Sequence, residues 1–548
     1  MFPRAKRSGK YTYLQVVESH WENGRVRQQV IASLGRLDRL VASGKLDGLT
    51  RGLARFCKEV EIVDAMREGD LRSMAVRKLG PGLVFERVWR KVGMRAVLNE
   101  LLAGRRFEFE LERAVFLTVL HRMFASGSDR AAEKWREDYV IDGVADLELH
   151  HLYRAMGWLG EALPAGEQAG ATPFSPRCTK DLIEEALFAR RRDLFTNLDV
   201  VFFDTTSIYF EGEGGETIGR RGKSKDHRPD LKQVVVGVVL DGDGRPVCCE
   251  LWPGNTTDVK TLIPIVERLR ERFHIGTVCV VADRGMISAK TIETLESAPG
   301  LTYILGARMR KQKEVKAEVL SRAGRYHEVY PKSDDPKAPS PLKVKEVFVE
   351  DRRYIVCHNE DRAQKDAADR EAIVAHLRAQ LKQGDKSLVG NKGYRRYLKT
   401  AGTRFMIDEN KIKTEARLDG KWVLRTNTSL SAKDTALKYK QLWMVEDVFR
   451  TTKSILETRP IYHKCDETIR GHVFCSFLAL VLKAELYERL GQRGRHYEWD
   501  DIRRDLEALQ ETELEVKGEH WFVRTELRGT CTDLLRAAGV AIPSTVRR

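Results

Sequence analysis

Apolar and polar positions alternate with period two over Tyr11 to Glu18 and again over Val26 to Leu34, with Trp21-Glu22-Asn23-Gly24 between them. An Asn-Gly pair flanked by alternating runs predicts a β-hairpin. A charged stretch follows to about residue 75. From about Gly82 to Leu163 the period becomes three and four. Leu83, Val84, Val88, Trp89, Val92, Met94, Val97 and Leu98 form one stripe. Phe116, Leu117, Val119, Leu120 and Met123 form a second, and Leu152, Met156, Leu159 and Leu163 a third, which together predict an all-helical domain. Pro164 to Pro176 is rich in Pro and Gly and predicts a linker.

The texture then changes. Val200-Val201-Phe202-Phe203-Asp204 reads as a buried strand ending on an acid, Gln233 to Leu240 as a second strand and Val247 to Trp252 as a third, with Asp241-Gly242-Asp243-Gly244 as the turn. Val259 to Phe273 suits a helix, Thr277 to Ala282 a strand ending on Asp283, Ala289 to Glu296 a helix and Thr302 to Leu305 a fifth strand. Three strands joined by turns, then helix, strand, helix, strand, is the order of an α/β, ribonuclease H-like core. A strand-rich insertion interrupts it. In the insertion, Val344 to Val349 and Arg353 to His358 are expected to pair, Asp361 to Lys382 to be helical, and Glu415 to Leu418 and Trp422 to Thr426 to form a hairpin around Asp419-Gly420. A long helix is expected from about Lys433 to Leu456 and an apolar one over Val473 to Leu490. The expected organisation is a hairpin and basic segment (1–75), a helical domain (76–195), the first part of the core (196–305), the insertion (306–430), the second part of the core (431–490) and a C-terminal region (491–548) whose pattern says little. The first two segments are candidate DNA-binding elements.

Charge changes this picture. The net charge is +15 over 548 residues, with a pI near 9.3, a balance that suits a polyanionic partner such as nucleic acid, the alternative being a solvated basic surface. The nine cysteines are scattered, with no C-x-x-C pair, which argues against a disulfide framework or a zinc module and for a reducing cytoplasm. The N-terminal residues lack an apolar core, and the run Val473 to Leu482 is too short to span a bilayer, so neither a secretory signal nor a membrane anchor is expected.

Asp204 and Asp283 end two strands that the expected order makes neighbours, so both carboxylates meet at one edge. Each alone suits a strand-end turn or a helix cap; together they suit a hard divalent cation such as Mg²⁺. Glu446 lies midway along the later helix, and Tyr439, Leu442, Glu446 and Lys453 share a face at helical spacing, with Arg450 beside them. Two ions held by such acids can serve phosphoryl transfer. The competing reading is a solvated helix face with internal ion pairs. Gly222-Lys223-Ser224 is not a phosphate-binding loop, because Thr217 stands where the required glycine would be. Residues 211–229 read as a flexible basic loop. Its Lys223, Lys225 and Arg228, with Lys232 just beyond, either contact DNA backbone or are simply solvated.

Tyr439-x2-Leu442-x3-Glu446-x6-Lys453 resembles the Tyr-x2-Arg-x3-Glu-x6-Lys signature of DDE transposases in the insertion-sequence-four superfamily, departing only at Leu442. Asp204-Thr205-Thr206-Ser207 and Val281-Ala282-Asp283-Arg284-Gly285 are similar to that family's two acidic blocks. Leu251-Trp252-Pro253-Gly254-Asn255 with Asp258, and Arg459-Pro460-Ile461-Tyr462-His463 with Gly471-His472, are similar to its flanking blocks. The opening hairpin and Asn391-Lys392-Gly393-Tyr394-Arg395-Arg396-Tyr397 resemble the long, N-terminally extended branch. Each block alone is nonspecific; their order over about residues 195–490 is the specific feature.

The resemblance implies a bacterial, cytoplasmic and nucleoid-associated DNA transposase that cuts and joins element ends by cut-and-paste chemistry, often through a DNA hairpin. It implies two Mg²⁺ ions (Mn²⁺ substituting) on catalytic Asp204, Asp283 and Glu446, double-stranded element ends and target DNA as partners, and a homodimer on DNA. From the residues themselves, Tyr439, Arg450 and Lys453 on the Glu446 helix, with Lys232 and Arg284, are the candidate DNA contacts. Lys421-Trp422-Val423-Leu424-Arg425-Thr426 resembles the block whose Trp stacks on a flipped base, which assigns that role to Trp422; a packed strand residue is the alternative. The competing functions are a ribonuclease H-fold nuclease or resolvase that cuts without joining, and a non-catalytic DNA-binding derivative.

Overall fold

The alternating runs at the N-terminus form β2 (Tyr11–Glu22) and β3 (Arg25–Arg36). The basic leader ahead of them is itself a strand, β1 (Phe2–Ser8), so the sheet is three-stranded in the order β1-β2-β3. The computed structural model describes all residues but 23–24, 55–65, 67–68, 170, 172–174, 192–199, 276, 334–337, 383–393, 402–403 and 517. The expected Asn23-Gly24 turn, the Asn391-Lys392-Gly393 block and part of the Pro164–Pro176 linker therefore lie outside the described residues. The chain divides into two compact units, one of Met1–Leu83, Asp138–Val140 and Tyr497–Arg548, the other of Val84–Glu137 and Ile141–His496. The first unit also contains β4 (Leu71–Lys78).

In the second unit, helices Met94–Leu101, Leu111–Phe124, Asp129–Trp135 and Leu149–Leu159 lie in the region of three-four periodicity. Leu111–Phe124 is buried on all sides, and both it and Leu149–Leu159 pack on the apolar helix Asp466–Gly491. Two glycines allow that packing. A Cβ on Gly471 would stand 1.9 Å from the Met156 carbonyl oxygen, and one on Gly160 would stand 2.0 Å from that of Glu467. The two backbones thus touch where no side chain fits. No helix among the described residues is long and apolar enough to cross a membrane.

The rest of this unit is a mixed α/β assembly around one large sheet. Its strands are β5 (Val200–Tyr209), β6 (Gln233–Leu240), β7 (Pro246–Pro253), β8 (Val278–Ala282), β9 (Leu301–Gly306), β10 (His327–Tyr330), β11 (Leu342–Val349) and β12 (Arg352–His358). β13 (Leu398–Ala401) and β14 (Arg404–Ile407) pair separately, and β15 (Lys421–Thr426) returns to the large sheet. The spatial order is β10-β11-β12-β15-β9-β8-β5-β6-β7. Within it β5 pairs antiparallel with β6, parallel with β8, and β8 parallel with β9. The first five strands of this unit thus lie in the order third, second, first, fourth, fifth. Every residue of β6 and β8 is buried, as befits strands covered on both faces.

The strand expected to end at Asp204 continues to Tyr209. Its parallel partner stops at Phe203↔Ala282, but β6 pairs with it as far as Tyr209, so the ladder on that side keeps the chain extended beyond the acid. The expected hairpin around Asp419-Gly420 does not form. Its first arm is the end of helix Glu409–Ala416 and the turn after it, and β15 lies between β12 and β9. Two ladders with distant strands satisfy more backbone groups than one local hairpin would. The expected long helix is three pieces: Ala432–Lys440, Trp443–Arg450 and a π turn, Thr451–Ile455. Met444 N and Val445 N bond three residues back, to Gln441 and Leu442, whereas Leu456 N bonds five back, to Thr451. One turn is tightened and one widened, so residues that share a face of a straight helix diverge here.

The first unit closes with β16 (Gln510–Val516), β17 (Glu519–Arg524) and β18 (Val546–Arg547), ordered β18-β17-β16-β4 around Leu514, Val516 and Trp521.

Gly471→Ala should destabilise the protein by about 1–3 kcal/mol or more, because a methyl group must displace the Met156 backbone, which cannot rotate away. Urea denaturation reads this out; a change below about 0.5 kcal/mol would show that the helices separate freely.

Candidate active site

Strand alternation decides which side chains meet. Val201 and Phe203 of β5, Val278, Val280 and Ala282 of β8, and Leu301, Tyr303 and Leu305 of β9 all enter one core with helices Leu262–Phe273 and Ala289–Ser297. Phe202, Asp204, Val281, Asp283 and Gly306 therefore fall on the opposite face. The β5–β8 register, extended by one residue beyond Phe203↔Ala282, sets Asp204 beside Asp283. The Tyr439 hydroxyl donates to Asp283 Oδ1 at 3.0 Å, and a Cβ on Gly306 would meet that hydroxyl at 2.4 Å. Helix Ala432–Lys440 thus covers the acidic face, and helix Trp443–Arg450, which carries Glu446, packs on β5 and β6.

A third carboxylate joins the pair. Asp258 Oδ1 accepts from Thr205 Oγ1 at 2.7 Å. The Lys225 ammonium stands among these groups, donating to Thr205 O (2.6 Å) and Thr205 Oγ1 (3.0 Å), 3.5 Å from Asp258 Oδ2 and 4.0 Å from Asp204 Oδ1. Burial pushes the Asp204 carboxyl up to about 6. Lys225 and the Thr205 amide (2.7 Å from Oδ1) pull it down, while Asp283 and Asp258 raise it further. Burial, with Asp283 alongside, raises the Tyr439 phenol far above its usual range, so it remains a neutral donor.

Glu446 is exposed, and Trp443 (59% exposed) and Arg450 lie on its side of the helix at i−3 and i+4. Arg450 pairs with Asp447 at 2.7 Å. Leu442, at the departing signature position, is buried. Lys453 lies in the π turn that follows this helix. Its ammonium binds Asp226 Oδ1 at 2.7 Å, Arg459 reaches the same oxygen, and burial lowers the Lys453 pKa. Lys232 pairs with Glu213 at 2.6 Å. Arg284 is exposed just after Asp283, and its carbonyl accepts from Arg308 Nε at 2.9 Å. Trp422 is half-buried, opposite Cys357. It shares its face with Leu424, whose partner Gly306 lies beneath Tyr439, so Trp422 is on the acidic face of the sheet.

A sequence-family model described as "Transposase DDE domain" matches residues 196–482, more than half of the chain. The chain belongs to the DDE transposase family. A second model, "IS1634 family transposase, N-terminal domain", matches residues 3–68. Among solved structures, a Mos1 transposase paired-end complex with left transposon end aligns at 14% identity over 35% of this chain, with a TM-score of 0.14, which carries no structural weight. The alignment spans 58% of that chain's length. No curated protein matches.

Sequence reasoning about the DDE domain missed Lys225 and Asp258 as members of the acidic cluster. Asp258 had a signal in its block after Asn255. Lys225 had none, because its place depends on how loop 211–232 folds back over β5. That loop is ordered by further bonds, with Asp466 accepting the amides of Glu216 and Thr217. Elsewhere in the DDE-domain unit, Asp129, His463 and His472 bring potential ligand atoms within 4.8 Å of one another. The Arg122 guanidinium stands 2.9 Å from His472 Nδ1 and 3.5 Å from Asp129 Oδ1, and His472 Nε2 faces Thr458 O at 3.1 Å. A resident cation already balances that cluster.

Asp204 also makes the metal-free DDE domain pH-dependent. Its folded pKa lies above the value of an exposed aspartate, so the folded state holds the extra proton between about pH 4 and 6. That contribution is complete below about pH 4 and is lost as the pH rises through 6. In chelator-treated protein, the stability difference between wild type and Asp204→Asn should shift by on the order of 2–3 kcal/mol in favour of the variant between pH 4 and 7.5. A pH-independent difference in denaturation midpoints would contradict the raised carboxyl.

Proposed function

We propose that the protein is a DNA transposase that cuts insertion-sequence ends and joins them to target DNA, with Asp204, Asp283 and Glu446 as metal ligands. The observation that carries this reading is the placement of Asp204 beside Asp283 on the sheet face covered by the helices of Tyr439 and Glu446. The strand order β7-β6-β5-β8-β9 supports a ribonuclease H-like core, with the later strands extending its sheet. The donor set fits a hard divalent cation: the carboxylates of Asp204, Asp283 and Asp258 and the Thr205 hydroxyl offer oxygen only. Asp204 carries a charge that its surroundings undercompensate, which a cation would correct. Two Mg²⁺ ions, with Mn²⁺ as substitute, would supply Lewis-acid stabilisation of the attacking and leaving oxygens of a phosphodiester.

The chain's own residues do the rest. Tyr439 orients Asp283 by its hydrogen bond and stays protonated. Glu446 adds its carboxylate from the exposed helix face, with Arg450 one turn on and Arg284 beside Asp283 to meet DNA phosphates. Lys232 and Lys453 reach phosphate only by leaving Glu213 and Asp226. The partner is double-stranded DNA, element ends and target alike, gripped by a homodimer. Trp422 on this face and the more exposed Trp443 beside Glu446 are candidates for stacking an extruded base, which recovers roughly 1–3 kcal/mol.

Asp204→Asn, Asp283→Asn and Glu446→Gln should each reduce cleavage of the element's own flanking DNA at least about a thousandfold while leaving end binding within about twofold. Denaturing gels and mobility shifts measure the two, and near-normal cleavage by any variant removes that residue from the site. The same gels resolve joined products, whose absence beside efficient cutting would indicate a nuclease.

Stacking is tested on ends with a normal or an abasic nucleotide near the cut. Trp422→Ala should permit the first nick, suppress hairpin formation, and matter little on the abasic end. If Trp443→Ala gives that pattern instead, Trp422 is a packed strand residue.

A further inference from the structure

Lys225 and Asp226 are consecutive, and each neutralises a different part of the site. The Lys225 ammonium is surrounded by oxygens of Asp204, Thr205 and Asp258, the groups that suit a cation. Asp226, whose side chain is only 3% exposed, lies under Lys453 and Arg459 as an anion shared by two cations, the arrangement those side chains would offer a phosphate. Lys453 and Arg459 belong to the segment that follows the Glu446 helix, whereas Asp204 and Thr205 belong to β5. The dipeptide therefore spans both halves of the site. The loop carrying it is tied to β5 by the bond from Lys225 N to Ser207 Oγ (2.7 Å) and to itself by that from Asp226 N to Ser224 Oγ (3.1 Å).

We propose that Lys225-Asp226 is an internal stand-in for the metal–phosphate pair of the substrate complex, with Lys225 holding the cation position and Asp226 the phosphate position until metal and DNA displace them. The inference rests on the reading of Asp204 and Asp283 as metal ligands. The acidic cluster and the Lys453–Arg459 pair each concentrate charge of one sign, and in the absence of DNA the protein balances both itself. Because the residues are adjacent, releasing one loosens the other, so metal and DNA should each favour the binding of the other. The clasp also keeps Lys453 from ordinary phosphate contact until the loop opens.

The test uses full-length protein without DNA, titrated with Mn²⁺ at pH 8 by calorimetry, and separately with a duplex of arbitrary sequence in chelator. Lys225→Met should bind Mn²⁺ at least about fivefold tighter than wild type, and Lys225→Arg should not. Asp226→Asn should bind the duplex at least about fivefold tighter in chelator. Unchanged or weaker Mn²⁺ binding by Lys225→Met would overturn the proposal. Asp204→Asn separates the two levels. If it leaves Mn²⁺ binding unchanged, the metal-site reading fails and the clasp with it. If it weakens binding while Lys225→Met does not strengthen it, only the clasp fails. Should Asp226→Asn unfold, hydrogen exchange in the wild type decides that arm: duplex plus Ca²⁺ should speed exchange over residues 222–229, and unchanged or slowed exchange would overturn it.

Discussion

The parallel pairing of β5 with β8, and its end at Phe203↔Ala282, is the constraint on which the site depends. Both strands are buried, so their backbone groups must pair with each other and their side chains must alternate between two covered faces. Once that register is set, the next residue of each chain is an aspartate, and both aspartates point to the face away from the Leu262–Phe273 core. A slip by one residue in either strand would send its acid into that core. The apolar residues on the other face therefore enforce the position of the carboxylates without touching them.

The same face organises the distant parts of the chain. Gly306 is bare because the Tyr439 hydroxyl needs the space its Cβ would fill, and Tyr439 in turn holds Asp283. β15 enters beside β9, which brings Trp422 onto this face through Leu424↔Gly306. The tightened turn at Gln441-Leu442 and the widened one at Thr451–Ile455 interrupt the helix on which Tyr439 meets Asp283 and Lys453 meets Asp226, with the exposed Glu446 between them.

Electrostatically, the unit contains a densely compensated buried network and a more weakly compensated acidic cluster. Lys180, Asp181, Glu184, Glu250, Arg268 and Arg272 form a fully buried network between helix Thr179–Arg191, β7 and helix Leu262–Phe273, in which every ion has close partners. Breaking such a network strands a buried charge, so it is a fixed part of the core. Around Asp204 the compensation is weaker: the nearest ammonium oxygen distance is 4.0 Å, and burial dominates. That imbalance is what a binding site for a cation requires.

Much of this was legible in the chain itself. Periodicity located the helices from Gly82 to Leu163 and the five strands between 200 and 305, because burial on one or both faces leaves a local apolar signature. The spacing of Tyr439, Glu446 and Lys453, with the blocks at Asp204 and Asp283, carried the family, since those residue types at those separations rarely coincide. Other features have no local signature. Asp204 was read as a strand end, and the strand continues because β6 supports it. The segment 415–426 has turn residues suited to a hairpin, yet β15 pairs with β12 and β9. β4 and β16 are more than four hundred residues apart, so neither charged segment announced the sheet they share. Lys225 read as one base of a flexible loop, either touching DNA backbone or solvated. The sequence by itself determined which residues seek burial and which carry chemistry, because those are properties of side chains and their spacing. Only the tertiary structure decided which strands pair, where a helix breaks and which cation faces which acid, because those depend on groups that meet across the chain and compete for the same partners.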